Sequence, residues 1–352
     1  MEKWRLLDPG PMPAWRQMAL DAVVIRARAE GRAPNTFRFM EFNPDAVLVG
    51  YHQAIDLELR RDECEALGIE YNRRITGGGA IYLDSRQLGW EICLRKDDPG
   101  LPADPETVYR RLSTVVIETL ARWGIEAKFR PVNDVEVDGR KISGTGGTEW
   151  GDALIYQGTL LVDFDVDTMI RVLRLPIEKL SDKEVDSFRR RTVTMRELLG
   201  EAPEMTAVKG AMVEAAARVL GIDWGPPGLT PEEQEEWETI QDTYRYPEWI
   251  DRRKPPAVEP ELRTVSTKAP GGLIKASVIV DPGAKRIRRA FITGDFFVYP
   301  ERAVMDLEAM LKEAPADIQK IEELLRRHYD QGNRYIGVAV EDWLRLFEQA
   351  LA

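Results

Sequence analysis

The feature that restricts this chain most is the octapeptide Val135-Glu136-Val137-Asp138-Gly139-Arg140-Lys141-Ile142. Two short alternating runs flank an Asp-Gly pair. That pair suits a tight two-residue turn, because glycine takes a positive φ at little cost. So short a turn makes the two strands antiparallel neighbours. The rest of the chain offers no regular alternation of strand and helix. Apolar residues at helical spacing predict helices at Ala14–Ala29, Asp56–Leu67 with Gly68 as C-cap, and Pro105–Trp123. Further helices are expected at Val166–Val172, Met195–Leu199 and Met205–Leu220. Strand-like runs are Ala46–Gly50, Ala80–Leu83, Gly89–Leu94 and Ala153–Phe164. The mixed order predicts an α+β fold with a largely antiparallel or mixed sheet.

The chain changes character after Gly221. Gly225-Pro226-Pro227-Gly228 breaks regular structure, an acidic helix is expected from Pro231 to about Asp242, and Lys254-Pro255-Pro256 leads into new elements. These are strands at Leu273–Val280 and Arg286–Ile292 around the turn Asp281-Pro282-Gly283, then helices at Ala303–Leu311 and Ala316–His328. The expected division is a larger domain over residues 1–245 and a smaller α+β domain over residues 246–352.

Charge and composition narrow the function classes. With 49 basic and 60 acidic residues the net charge is −11, which argues against binding a nucleic-acid backbone. No window approaches the ~20 apolar residues of a membrane span, and Met1-Glu2-Lys3-Trp4-Arg5 lacks the apolar core of a signal peptide, so a cytoplasmic protein is expected. Cys64, Cys93, His52 and His328 are the only cysteines and histidines, which argues against a disulfide framework, a zinc set or a Ser-His-Asp enzyme. The chemistry is left to lysine, arginine, carboxylates and backbone amides.

Three segments fit that remainder. In Arg73-Arg74-Ile75-Thr76-Gly77-Gly78-Gly79-Ala80-Ile81, three glycines leave backbone N–H groups open to an anion, and two guanidinium forks stand beside them. The same run also suits a bare connection between strands. Asn133-Asp134 precedes Arg140-Lys141-Ile142-Ser143-Gly144, where a lysine just past a hairpin can reach a cleft as a point charge. A solvated surface lysine is the alternative. In Tyr156-Gln157-Gly158-Thr159-Leu160-Leu161, the glycine admits either a nucleotide or a bulge in a core strand.

Taken in order, these segments resemble the lipoate–protein ligase A family of the wider biotin/lipoate ligase and octanoyltransferase superfamily. Arg73 to Asp84 resembles its Arg-Arg-x-Ser/Thr-Gly-Gly-Gly signature, and Asn133-Asp134 with Lys141-Ile142-Ser143-Gly144 resembles its Asn-Asp and Lys-Ile-Ser-Gly pair. Gly158-Thr159-Leu160-Leu161, Val47 to Gln53, and Lys179 to Thr194 are similar to further family segments. Gly271-Gly272-Leu273-Ile274 and Gly294-Asp295-Phe296-Phe297 resemble motifs of its accessory C-terminal domain.

The resemblance implies that ATP and lipoate give lipoyl-AMP and that the lipoyl group passes to a lysine of a lipoyl-carrier protein. It implies a catalytic Lys141. Lipoate and adenylate would be bound by Arg74, Thr76, Gly77, Gly78, Gly79, Ala80, Ile81, Ser143, Gly144 and Thr159. Asn133 and Asp134 would serve the nucleotide and Mg²⁺, with Asp134 as the metal ligand. A monomer is expected. Arg189-Arg190-Arg191 is a candidate face for an acidic carrier, or a solvated run.

Departures from the family pattern are Leu83 and Gln157 where it carries histidine, and Met195 where it carries asparagine. The stretch Gly146 to Asp152, with Trp150, is expected to shape an adenylate-binding loop. The rival readings are an acyltransferase that takes its acyl group from a carrier thioester without ATP, and a binding protein that has lost turnover. A cysteine-dependent transferase needs a nucleophilic cysteine, and neither Cys64 nor Cys93 matches the family's cysteine position.

Overall fold

The computed structural model describes residues 3–98, 105–131, 133–174 and 189–352. Lys179-Leu180-Ser181 of the late motif lies outside the described residues. The chain divides into two compact units. The first comprises Met1–Leu48, Leu59–Asn72 and Ile81–Ile250, and the second comprises Val49–Glu58, Arg73–Ala80 and Asp251–Ala352.

The first unit is built on a mixed sheet. Its strands are β1 (Arg5–Leu7), β2 (Pro11–Met12), β3 (Thr36–Phe42), β7 (Leu88–Arg95), β8 (Lys128–Arg130), β9 (Asp134–Val137), β10 (Arg140–Trp150) and β11 (Ala153–Leu160), in the order β1-β3-β7-β11-β10-β9-β8 with β2 paired to β3. Strands β1 and β2 run parallel to β3, and the other pairs are antiparallel. The Asp-Gly turn between β9 and β10 places Asp138 and Gly139 at φ of 50° and 76°. A smaller sheet of order β5-β4-β6 joins β4 (Ala46–Val49), β5 (Glu70–Arg73) and β6 (Ile81–Leu83).

One face of the large sheet carries the apolar core. Phe37, Phe39, Trp90 and Tyr156 pack there against Leu112, Val115, Val116 and Leu120 of helix Pro105–Ala121 and Val208, Met212 and Ala215 of helix Met205–Leu220. The Trp90 ring lies so close over Gly158 that a Cβ there would be 2.6 Å from it. The glycine of β11 thus admits a core indole rather than a nucleotide, and β11 pairs with β10 without a bulge.

The helix Pro231–Ile240 opens on a capping box at Thr230 with Pro231 behind it. Its Glu233 is fully buried and forms a bidentate pair with Arg5 of β1. Trp237 Nε1 donates to the Arg16 carbonyl at 3.0 Å. The chain therefore stays with the first unit to Ile250, five residues beyond the expected boundary.

The second unit centres on an antiparallel sheet of β12 (Leu262–Ala269), β13 (Gly272–Asp281) and β14 (Arg286–Gly294). Helices Ala303–Leu311, Ile318–Asp330 and Val340–Leu351 cover it through Val304, Leu307, Ile321, Leu325, Trp343 and Phe347. A short antiparallel pair joins β15 (Val298–Tyr299) to β16 (Arg334–Tyr335).

Several expectations need correction. The helix expected over Asp56–Leu67 is two, Ile55–Glu58 and Arg61–Leu67. The break lies at Leu59 and Arg60, where Leu59 bridges Leu173 and Arg60 N–H donates to the Val172 carbonyl. Gly146–Asp152 is no loop: β10 runs without interruption to Trp150, paired with β11 throughout. At ~3.3 Å per residue, Trp150 lies about 30 Å along the strand from Lys141. Its ring is exposed at the hairpin end. Among the described residues no helix is long and apolar enough to cross a membrane.

Candidate active site

Six of the predicted site residues converge on three neighbouring strands of the first unit. Gly144 of β10 stands opposite Asp134 of β9 on one side and Thr159 of β11 on the other. An irregularity between Lys141 and Ser143 shifts the register of β9 and β10, and Lys141 thereby turns over Gly144. A Cβ at position 144 would lie 2.5 Å from Lys141 Nζ and 2.6 Å from its Cε. With glycine at this position the lysine can lie directly across the strand; a methyl group there would displace its terminal atoms.

The Lys141 ammonium is 2.6 Å from Asp134 Oδ1, and the lysine side chain is 40% exposed. An ammonium held by a carboxylate at a half-open position can serve an incoming anion. Its backbone is held too. Lys141 N–H donates to the Arg191 carbonyl at 2.8 Å, and Val193 N–H donates to the Lys141 carbonyl at 2.9 Å.

Asn133 fastens the start of β9 to β10. Thr145 N–H and Oγ1 both donate to its carbonyl, at 2.9 and 2.8 Å, and its Nδ2 donates to the Thr145 carbonyl at 2.5 Å. Ser143 Oγ is buried without a partner.

The predicted residues Arg74, Thr76, Gly77, Gly78, Gly79 and Ala80 belong to the second unit, and Ile81 opens β6 of the first. The two arginines are engaged by the protein itself. Arg73 is fully buried, and its Nη1 donates to the carbonyls of Gly50, Tyr51 and Gln53 at 3.0, 2.9 and 2.6 Å. Burial, then the neighbouring Arg252 and Arg253, pull its guanidinium down to about 9. Arg74 Nη2 donates to the carbonyls of Gly77 and Gly79 at 2.8 and 2.7 Å, and its Nε lies 3.1 Å from Thr76 Oγ1. Gly78 N–H donates to the Phe296 carbonyl at 3.3 Å. The loop is therefore folded around its own arginine, where the sequence led us to expect guanidinium and amide donors open to an anion.

Sequence reasoning missed a buried charge network in the first unit. Arg38 of β3 is fully buried, with Nη1 2.7 Å from Asp21 Oδ1 and 3.6 Å from Glu91 Oε1. Gln157 Nε2 donates to Asp21 Oδ2 at 2.8 Å and to Glu91 Oε2 at 2.6 Å. Burial, and then the Asp21 charge, push the Glu91 carboxyl up to about 7. Burial also raises Asp21. The available signal was a single charge inside each apolar run, Phe37-Arg38-Phe39 and Trp90-Glu91-Ile92. Gln157, in place of the family histidine, is the amide that bridges the two carboxylates.

All four potential nucleophiles or bases of the cysteine and histidine class are buried. Burial, with Asp62, Glu65 and Glu63 behind it, pushes the Cys64 thiol up to about 11, and burial with Glu91 pushes Cys93 well above the usual range. His52 is pulled down to about 3 by burial and by Arg253, Arg73 and Arg252, and is neutral at ordinary pH. Burial lowers His328 as well.

Residues 13–217 match the model of the lipoyl protein ligase A/B catalytic domain. The chain belongs to this family. Similar relatives and structures extend the lipoyl ligase A/B match. An octanoyltransferase LipM of Kyrpidia tusciae is 29% identical over 275 residues, covering 72% of this chain and all of that protein. A bi-partite lipoate protein ligase from Thermoplasma acidophilum, solved in work on an archaeal lipoylation system with its E2 lipoyl domain, is 26% identical. It covers 73% of this chain and all of that one, with a TM-score of 0.65. A lipoate-protein ligase A bound with ATP is 25% identical, covering 71% of this chain and 98% of that one, with a TM-score of 0.61. The α+β fold with a large mixed sheet is that of the lipoate ligases, and the chain is an enzyme of the lipoate ligase and transferase superfamily acting in protein lipoylation.

Proposed function

We propose that this protein is an ATP-dependent lipoate–protein ligase. It activates lipoate or octanoate as the acyl-adenylate and transfers the acyl group to a lysine of a lipoyl-carrier domain in the cytoplasm. The observation that carries the reading is the set of reactive groups: both cysteines are buried and burial holds their thiols above the usual range, whereas Lys141 is a half-open side chain paired at 2.6 Å with Asp134. A covalent cysteine route would have to use a buried thiol. A route that only brings two anions together needs a preorganised cation.

In the first step a carboxylate oxygen attacks the α-phosphorus of ATP. The bond to the bridging oxygen breaks, and pyrophosphate leaves. Lys141 takes the charge that builds on the α-phosphoryl oxygens and on the acyl carboxyl. In the second step the neutral ε-amine of the acceptor lysine attacks the acyl carbon, the C–O bond to AMP breaks, and the amine loses its proton. Lys141 again meets the developing oxyanion. Gly144, flanked by Thr159, floors the lysine, and Asn133 sets its strand.

Magnesium enters with ATP. Asp134 offers it a single carboxylate, and among the described residues no group of three His, Cys, Asp or Glu side chains gathers, so phosphate oxygens would supply the other ligands. The ion would neutralise phosphate charge.

A second reading has one specific observation in its favour: relatives 25–29% identical carry the name octanoyltransferase LipM. It is acyl transfer from a carrier thioester with no nucleotide. One experiment separates the two. The protein is incubated with a lipoyl domain and either ATP, Mg²⁺ and lipoate or an octanoyl-carrier thioester, and pyrophosphate and domain mass are followed. Pyrophosphate release with a lipoyl mass shift supports the ligase. Transfer from the thioester alone refutes it in favour of the transferase.

A further inference from the structure

A glycine carries a conformational cost unless the fold demands it. Within the second unit the demand is visible at Gly77 and Gly78. A Cβ on Gly77 would sit 2.7 Å from the Phe296 carbonyl oxygen and 3.1 Å from Phe297 Cδ1. On Gly78, whose φ is +93°, it would meet Phe297 Cζ at 3.0 Å and Arg74 Nη2 at 2.9 Å. On Gly79 it would touch Asp295 Cβ at 3.4 Å. The Gly78 carbonyl closes on Gly50 from another side, 1.9 Å from where a Cβ of residue 50 would stand.

The partners of the loop thus come from one corner, Asp295-Phe296-Phe297, which follows β14. That corner is stiff. The Phe296 ring is fully buried, stacks on His52 with centroids 5.7 Å apart, and meets Trp343 and Tyr335 at 5.9 and 5.7 Å. Asp295 Oδ1 accepts the Leu273 N–H at the start of β13. The Phe297 carbonyl accepts the Ile336 N–H at 2.9 Å, and its ring carbons stand 3.0–3.3 Å from the Cβ positions of Gly77 and Gly78, so the ring bounds the space open to the loop.

We propose that Phe297 is a positioning residue for acyl binding: its ring sets Gly77 and Gly78, and through them the Gly77 and Gly79 carbonyls that orient Arg74. Gly77 and Gly78 are selected by the aromatic corner they press upon, in addition to any ligand. The acyl-binding half of this inference rests on the proposed function, whereas the ordering of the loop does not.

The test uses the full chain with Phe297→Ala and the conservative Phe297→Leu. Two quantities are read without ATP: amide hydrogen exchange over residues 73–80, and the affinity for octanoate and lipoate. Phe297→Ala should speed exchange of 73–80 at least tenfold and weaken octanoate binding at least tenfold, with exchange in β7, β10 and β11 unchanged. Phe297→Leu should recover most of both. Unchanged exchange over 73–80 in Phe297→Ala overturns the proposal, as does faster exchange with undiminished affinity. If Phe297→Ala loosens β12 to β14 as well, Phe297→Leu carries the comparison, and wild-type exchange over 73–80 together with lowered affinity in that variant overturns the shape argument. A wild-type protein that binds neither acid removes the acyl-binding reading, and the exchange comparison still decides whether Phe297 orders the loop.

Discussion

Replacing Glu91 by glutamine should make the protein progressively more stable than wild type as pH rises. The buried network holds one guanidinium, Arg38, against two carboxylates, Asp21 and Glu91, with the amides of Gln157 and Gln17 as its other polar groups. An ionised Glu91 would leave an uncompensated negative charge in the interior, and its carboxyl is accordingly pushed from the usual 4.5 up to about 7. The folded state therefore binds this proton more tightly than the unfolded chain. The associated stability is complete below about pH 4.5, declines between 4.5 and 7, and is absent above 7. A shift of that size corresponds to on the order of 3 kcal/mol. Glutamine mimics the protonated carboxyl and carries no such dependence. In urea titrations at pH 5, 7 and 9, the variant's stability minus that of wild type should grow by on the order of 3 kcal/mol from the lowest to the highest pH. Parallel pH profiles for the two proteins would refute the assignment of a protonated Glu91.

Lys141→Ala should lower acyl-group activation by roughly 10²–10³-fold with an unchanged melting temperature, read by pyrophosphate release and by thermal unfolding. Gly144→Ala should act on the same step, because its methyl group would occupy the space of the lysine's terminal atoms; an equal loss in the apparent Kd for ATP and in turnover is the expected outcome. The double variant Cys64→Ser, Cys93→Ser should retain wild-type turnover where it folds, and iodoacetamide should leave the native enzyme active, since both thiols are buried and protonated. Glu233→Ala strands the buried Arg5 guanidinium and should cost about 3–5 kcal/mol in unfolding experiments.

Local chemistry was legible where short-range rules decide the structure. The Asp138-Gly139 turn, the helix Ala14–Ala29 and the helix Met205–Leu220 stand where turn preference and apolar spacing put them. Strand β3 was not read, because its apolar alternation lapses at Met40-Glu41-Phe42 and Arg38 puts a charge on its second face, whose compensating residues lie on a helix and another strand. In the extension of β10 through Thr145-Gly146-Gly147-Thr148 the two glycines weaken the strand preference of the threonines, and the stretch is held by its pairing with β11. Helix Val340–Leu351 was overlooked although Trp343, Leu346, Phe347 and Ala350 mark a single face. At the site, residue types were legible and their partners were not. The Gly-Asp-Phe-Phe segment read as an accessory motif, and nothing local in it foretells that the Phe297 ring and the Phe296 carbonyl crowd the Cβ positions of glycines more than two hundred residues earlier.

The clasp between Arg5 and Glu233 also has a meaning for biosynthesis. Its two halves are 228 residues apart, and at translation rates of 5–20 residues per second the arginine waits on the order of ten to fifty seconds for its counter-charge. During that interval the nascent edge strand holds a cation that the finished sheet keeps from water. The catalytic unit can close only after its helix at 231–240 has cleared the ribosome, so its assembly is a late event, and the first strand made is among the last to settle.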